Sequence, residues 1–179
     1  MKKLLVSLSL ILALLLCLTS CTGYNNIMYD HLSDASNYKQ YDATLVGFRY
    51  EYEEYEYSDE YDSEKMEDAF ASYLLVSFDS KAEVAAFLGV SPDGVANELS
   101  EYTFYLEINS ANNKILLENG FYDAVEEGCQ IKVTTSNWIY MDGNFFFVSG
   151  VSYDGVEYLN AKVGLQNIRA MMRENRSMF

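Results

Sequence analysis

This chain has almost no histidine and lacks glycine-rich loops, and both absences limit the reactions and ligands that can be expected. His31 is the only histidine in 179 residues, so a catalytic triad or a histidine-bearing zinc site would have to be built around that one position. The sequence also contains no phosphate-binding glycine loop. These absences argue against histidine-based catalysis and against nucleotide binding through such a loop.

Basic residues are scarce as well. The chain has 12 lysines and arginines against 27 aspartates and glutamates, a formal net charge of −15. Affinity for nucleic acid comes chiefly from cations that neutralise backbone phosphates, and adhesion to anionic lipid needs a basic face. The composition therefore predicts no nucleic-acid partner and disfavours direct adhesion to anionic lipid through a basic face.

The first 20 residues have the features of a secretory signal peptide. Lys2 and Lys3 form a basic start, an apolar run from Leu4 to Leu18 follows, and small residues stand at its end. The apolar run is shorter than the roughly 20 residues that a membrane-spanning helix needs. We therefore expect residues 1–20 to be removed, which leaves a mature chain that begins at Cys21.

The four residues Leu18-Thr19-Ser20-Cys21 resemble the lipobox of bacterial lipoproteins. The resemblance implies that the Cys21 thiol carries a diacylglyceryl group and that acyl chains such as palmitate hold the protein on the extracytoplasmic face of the cell membrane. One acyl chain binds a membrane only marginally, whereas two hold stably. The predicted partner of the amino terminus is therefore the membrane itself, through lipid on Cys21.

Cysteine is too scarce for a disulfide in the mature chain. Cys17 would leave with the signal peptide and Cys21 would be acylated, so Cys129 remains alone. Cys129 precedes Ile131 and Val133 in an alternating pattern, which favours an inert, buried thiol, and a catalytic cysteine would want a histidine partner. The domain must then be stabilised by its apolar core, and no cofactor is predicted.

The mature chain is long enough for one domain. Residues 21–40 are mostly polar and lack sustained periodicity, so they predict a tether, with a short helix near residues 27–32. Residues 41–175 predict a β-rich domain. Its first strand starts at Ala43 and continues through Tyr57, with a bulge at Glu53-Glu54 that keeps its aromatic residues on one face.

Alternation and turn signals place the remaining elements. Strands are predicted over residues 72–78, 102–108, 131–141, 145–151 and 156–159, with turns at Asp142-Gly143 and Asp154-Gly155. Helices are predicted from the Ser80–Glu83 capping box to Leu88, from Pro92 toward Leu99, over residues 111–118 and over residues 162–173. A hairpin arm at residues 114–117 is the alternative to the third of these helices.

This order of elements resembles an OB-fold barrel, which has a helix between its third and fourth strands. The resemblance implies a mainly β domain with short helices: a small OB-like β-barrel with a helical insertion at residues 80–99 and a C-terminal helix. The pattern Asn113-x-x-x-Leu117-x-x-Gly120-Phe121-x-Asp123, followed by Gly128, is also similar to OB-like lipoproteins of Gram-positive gut bacteria. That similarity implies no particular activity.

Tyrosines supply the main candidate binding surface. Nine of the 16 tyrosines lie between Tyr24 and Tyr61, and exposed tyrosines on a strand can stack on sugar rings or grip a protein partner. The alternative is that tyrosine simply suits half-buried strands. The first hypothesis is therefore a non-catalytic binding module whose protein or glycan ligand contacts Tyr50, Tyr52, Tyr55 and Tyr57.

Acidic residues supply two further hypotheses. Ten carboxylates lie between Glu51 and Asp68, and Asp59, Asp62 and Glu64 are candidate calcium ligands, although no glycine-centred calcium loop occurs there. This would make the protein a structural lipoprotein with an acidic, calcium-binding loop. Alternatively, a pair of carboxylates about 5–10 Å apart could serve a cell-envelope hydrolase, but the sequence selects no pair.

Overall fold

The computed structural model describes residues 27–53, 56–69, 71–95, 102–136, 138–140 and 143–177. The strands are β1 (Tyr38–Glu53), β2 (Glu56–Ser58), β3 (Ala71–Ser77), β4 (Phe104–Ile108), β5 (Gln130–Ser136), β6 (Trp138–Tyr140), β7 (Gly143–Phe145), β8 (Val148–Tyr153) and β9 (Val156–Leu159). The helices are α1 (residues 27–33), α2 (Ser63–Glu67), α3 (Lys81–Leu88), α4 (Ser110–Glu118), α5 (Phe121–Ala124) and α6 (Ala161–Ser177), with 3₁₀ turns at Ala35–Asn37 and Pro92–Gly94.

Seven strands form one sheet in the order β4-β3-β1-β5-β8-β9, with β2 paired to the end of β1, and β6 and β7 form a separate hairpin. All of these strand pairs are antiparallel. The long strand β1 joins two halves of the sheet, because residues 38–44 pair with β5 and residues 44–51 pair with β3. A parallel bridge between Glu107 and Phe147 brings β4 close to the start of β8. The expected mainly β fold with short helices is confirmed.

One strand was predicted too long. The sequence pattern suggested a single bulged strand through Tyr57, but β2 pairs antiparallel with β1, so the chain reverses direction between them. The irregularities in the register of β1 lie between Leu45 and Gly47 and between Glu51 and Glu53. The aromatic residues move from even-numbered to odd-numbered positions here because the chain turns back in a hairpin.

The predicted tether is folded over residues 27–40. Tyr29 and Leu32 of α1 are buried with Ile168 and Met172 of α6 in a second, smaller core. The Arg169 Nε donates a hydrogen bond to the Ser33 carbonyl, 2.7 Å away, which fixes the end of α1. The predicted short helix near residues 27–32 is confirmed as α1. Its packing on α6 was not predicted, because two apolar side chains are too few to show periodicity. Residues 21–26 lie outside the described part.

The helical insertion covers one end of the main core. Ser80 caps α3 as predicted, because its Oγ accepts from the Glu83 backbone N–H at 3.2 Å and donates to the Glu83 carboxylate at 2.9 Å. Gly89 ends α3 in the left-handed conformation. The helix buries Phe87, whose ring lies 4.7 Å from that of Phe146 and 4.9 Å from that of Phe104, centroid to centroid.

Asparagines at the start of α4 join the helices to the sheet. Asn109 caps α4, which begins at Ser110, one residue before the predicted start. The buried Asn112 side chain donates to the carbonyls of Val148 (3.0 Å) and Gly164 (3.2 Å). The next residue, Asn113, donates to the Met66 carbonyl at 2.7 Å. Because buried polar groups are costly unless bonded, these contacts fix α4 relative to β8, α6 and α2.

The C-terminal helix packs closely on β8. A Cβ atom at Gly164 would overlap the Ser149 carbonyl oxygen, so only glycine permits this approach. The helix is longer than the predicted residues 162–173, and it buries Leu165 and Ile168, whereas Val163 is 41% exposed.

Candidate functional site

The four predicted tyrosines do not form one exposed face. Tyr50 is only 1% exposed, and its hydroxyl donates to the Glu60 carbonyl at 2.9 Å. Tyr52 is half-buried against the core, and its hydroxyl bonds to Glu56. Tyr57 is 50% exposed, and Tyr55 lies outside the described residues. The prediction is wrong for Tyr50 because that side of β1 faces inward.

The opposite, outward side of the sheet carries a different set of aromatic residues. We call the tyrosine face the patch formed by Arg49 on β1, Tyr57 on β2, Tyr73 on β3 and Tyr105 on β4. Arg49 pairs directly with Tyr73 across the two strands. The Tyr73 and Tyr105 rings meet edge to face with centroids 6.3 Å apart, and Tyr105 is 42% exposed.

Arg49 is held rigidly within the tyrosine face. Its guanidinium makes two hydrogen bonds to the Asp59 carboxylate, at 2.6 and 2.9 Å, and a third to the Tyr105 hydroxyl at 3.3 Å. The guanidinium carbon lies 5.3 Å from the centroid of the Tyr105 ring. These bonds raise the pKa of Arg49 and lower the pKa of Asp59. Both groups therefore stay ionised, and the guanidinium of Arg49 orients the Tyr105 side chain.

Glu107 borders the tyrosine face directly opposite Tyr73 on the neighbouring strand. Burial raises the pKa of Glu107 to about 7. Burial, followed by the nearby charges of Glu107, Tyr57 and Glu51, raises the pKa of Tyr73 to about 12. A half-buried carboxyl beside a phenol provides hydrogen-bonding groups for hydroxyl or amide groups of a ligand.

The signal for this face was present in the sequence but incomplete. Alternation around Leu106 assigns Tyr105 and Glu107 to the side opposite the core. However, only the pairing of β1, β3 and β4 brings these residues beside Arg49 and Tyr73, and that pairing joins parts of the chain that are far apart in sequence.

An acidic cleft of about 380 Å³ lies between α2, α4 and α5. Its lining includes Tyr61, Lys114 and four carboxylates: Glu64, Glu67, Glu118 and Asp123. All four carboxylates are exposed to solvent. The general acid of a glycosidase needs surroundings that keep it protonated, so exposure of these side chains does not favour the carboxylate-pair hydrolase.

The predicted calcium ligands have structural roles. Asp59 holds Arg49 through both carboxylate oxygens. Asp62 caps α2, since its Oδ1 accepts from the backbone N–H groups of Glu64 and Lys65. Across the described part of the chain, no group of three or more histidine, cysteine, aspartate or glutamate residues is placed to hold a metal ion.

Three other residues considered in the sequence analysis are the histidine and two cysteines. His31 lies half-buried on α1, and Cys129 is a half-buried free thiol packed against the core. Cys21 lies outside the described residues. No helix in the described ranges has both the length and the apolar character needed to span a membrane.

Comparisons of the whole chain with family models, curated proteins and solved structures gave no match.

Proposed function

We propose that this protein is a lipid-anchored, extracytoplasmic binding module that uses the tyrosine face to hold a glycan or protein ligand at the cell envelope. The observation that carries the proposal is the combination of exposed Tyr57 and Tyr105 rings with a pre-positioned Arg49 on an outer sheet surface. Aromatic side chains provide a large contact area with few rotatable bonds. Arg49 is already ordered, so little entropy is lost when a ligand binds.

The charge around the tyrosine face favours an uncharged ligand. Asp59 neutralises Arg49 through the bidentate pair, while Glu51 and Glu107 stand beside Tyr73. A polyanion would meet these carboxylates and the overall charge of −15. A neutral glycan, whose ring faces stack on tyrosine and whose hydroxyls bond to Tyr73 and Glu107, is the ligand that fits best.

We also propose that the sheet belongs to an OB-like barrel. The parallel bridge between Glu107 and Phe147, together with the 2.7 Å hydrogen bond from the Glu107 N–H to the Phe146 carbonyl, supports closure between β4 and the start of β8. With β2 counted as part of the β1 hairpin, β3 and β4 are the second and third strands. OB-folds bind oligosaccharides and oligonucleotides across those two strands, and β3 and β4 carry Tyr73 and Tyr105.

The tyrosine face lies far along β1 from the end of the strand that follows α1. Tyr38 follows α1, the first described helix after the proposed lipidated Cys21, whereas Arg49 is eleven residues further along the strand. At about 3.3 Å per residue this separation is at most roughly 36 Å, and the irregularity after Leu45 shortens it. The arrangement favours a ligand outside the membrane.

Binding of labelled neutral oligosaccharides to intact cells that display the full chain tests the proposal. Truncating the two exposed tyrosines in a Tyr57→Ser, Tyr105→Ser double variant is expected to weaken binding by at least about 30-fold, since each hot-spot aromatic contributes roughly 1–2 kcal/mol. Tyr61→Ser is the matched control, because Tyr61 is an exposed tyrosine in the acidic cleft. Unchanged binding by the double variant, or an equal loss in the control, would refute the assignment of the tyrosine face.

A further inference from the structure

A second cleft lies at the amino-terminal end of β1, between α6 and strands β5 and β8. This α6 cleft has a volume of about 380 Å³ and is lined by Lys162, Gln166 and Arg169 of α6 together with Thr134, Ser149 and Tyr38 of the sheet. None of the described residues that line it is acidic. In a chain with 27 aspartates and glutamates and only 12 lysines and arginines, a cleft with two cations and no carboxylate is unusual.

The cations of the α6 cleft are available to a ligand. Within the described ranges, the Lys162 ammonium has no hydrogen-bond or ion-pair partner, and Arg169 uses only its Nε, which donates to the Ser33 carbonyl. Its two terminal nitrogens make no hydrogen bond to any described residue. The Arg169 charge also lowers the pKa of Asp34, but hydrogen bonds from Ser36 lower it more.

The spacing of the two cations suits one small anion. Lys162 and Arg169 are seven residues apart on α6, which places them on the same face about 10 Å apart along the axis. Both side chains are long enough to converge on a group between them. The Thr134 hydroxyl, which makes no hydrogen bond to any described residue, adds a neutral donor to the floor of the cleft.

We infer that the α6 cleft binds a phosphate group, as a free phosphate ester or as the headgroup of a lipid. Arginine and lysine donors are the side chains that recognise phosphate oxygens in proteins, and no described residue lining this cleft is acidic. The backbone N–H groups of Lys162 and Val163 are already capped by the Asn160 side chain. The side chains of the cleft, and not the helix terminus, therefore carry the binding.

The position of the cleft favours a lipid source, and this part of the inference rests on the proposed function. Ala35 and Tyr38 border the cleft and follow α1 directly. Residue 27, where the described part of α1 begins, is six residues from Cys21, which is at most roughly 21 Å of extended chain. An acylated Cys21 would hold the cleft near the phosphates of the membrane surface.

Titration of the full chain in uncharged detergent micelles with inorganic phosphate and with glycerol phosphate tests the inference. Lys162→Gln and Arg169→Gln are each expected to weaken binding about tenfold, as the loss of one charge-assisted contact implies. Lys132→Gln is the matched control, because Lys132 is an exposed lysine on the outer side of β5. Lys162→Gln is the decisive variant, since Arg169 also bonds to the Ser33 carbonyl and its loss could disturb α1.

Absence of saturable phosphate binding, or equal affinity in wild type and Lys162→Gln, would overturn the inference. Vesicles of phosphatidylcholine with and without phosphatidylglycerol distinguish the two sources. An excess of binding to phosphatidylglycerol that disappears in Lys162→Gln identifies the lipid headgroup. Phosphate binding without that excess supports the site and assigns it to a soluble ester. The titrations with inorganic phosphate and with glycerol phosphate do not depend on acylation of Cys21. If Cys21 is not acylated, their result therefore stays the same, and the two hypotheses are tested independently.

Discussion

Replacing Glu107 by glutamine is expected to stabilise the protein at neutral pH. Burial raises the pKa of this carboxyl from its ordinary 4.5 to about 7, so the folded state disfavours the ionised form. Each unit of difference corresponds to 1.36 kcal/mol, and the full shift therefore amounts to roughly 3 kcal/mol. Glutamine has the same shape and no charge to desolvate, so Glu107→Gln should recover most of that free energy above pH 7.

The pH dependence of this effect has a defined sign. Between pH 4.5 and about 7 the folded state binds more protons at Glu107 than the unfolded state does, so the free energy of unfolding falls as the pH rises through this window. Above pH 7 this contribution is constant. Tyr73, the titratable side chain opposite, has a pKa raised to about 12 by burial and stays protonated throughout.

Urea unfolding of wild type and Glu107→Gln at intervals from pH 4 to pH 8 measures this difference. The two curves should coincide near pH 4 and separate to about 2–3 kcal/mol by pH 7.5. Glu126→Gln is the control for the loss of one negative charge, because Glu126 is exposed. A separation that does not depend on pH, or that appears equally in the control, would refute the account of Glu107.

Three further predictions concern the fold and the anchor. Asn112→Leu should lower the free energy of unfolding by about 2–4 kcal/mol in urea titrations, because it leaves two buried carbonyls and the Asn167 amide without their partner; a loss under 1 kcal/mol would contradict this role. Gly164→Ala should cost about 3 kcal/mol in the same assay, since the added methyl overlaps the Ser149 carbonyl; unchanged stability would show that α6 can move away. Cys21→Ala should abolish incorporation of a fatty-acid probe and release the chain from sedimented membranes; retention in the membrane fraction would contradict lipidation.

Elements with local signals were predicted well from the sequence. The Ser80–Glu83 box and Gly89 delimit α3 through contacts within a few residues. Asp154-Gly155 forms the predicted hairpin turn, with both residues at positive φ, which is the conformation that a two-residue hairpin needs. Such features depend on neighbours in the chain, so no knowledge of the tertiary structure was required.

Features that depend on distant contacts were not predicted. Alternation showed that β1 has two sides, but both carry large side chains, and only pairing with β3 and β5 shows that Tyr50 faces the core. In the same way, α1 is stable because Tyr29 and Leu32 meet α6, more than 130 residues later in the chain. The sequence therefore predicts which residues of β4 face outward, but not that they meet residues of β1, β2 and β3 in the tyrosine face.

Hydroxyl-radical footprinting on intact cells tests the central claim most directly, because it requires no prior identification of the ligand. Tyrosine oxidation is quantified by mass spectrometry for the protein on whole cells and for the same protein in washed, detergent-extracted form. The proposed function predicts that Tyr57 and Tyr105 are oxidised several-fold less on cells, while Tyr61 in the acidic cleft is oxidised equally in both states. Equal oxidation of Tyr57 and Tyr105 in the two states would contradict a ligand on the tyrosine face.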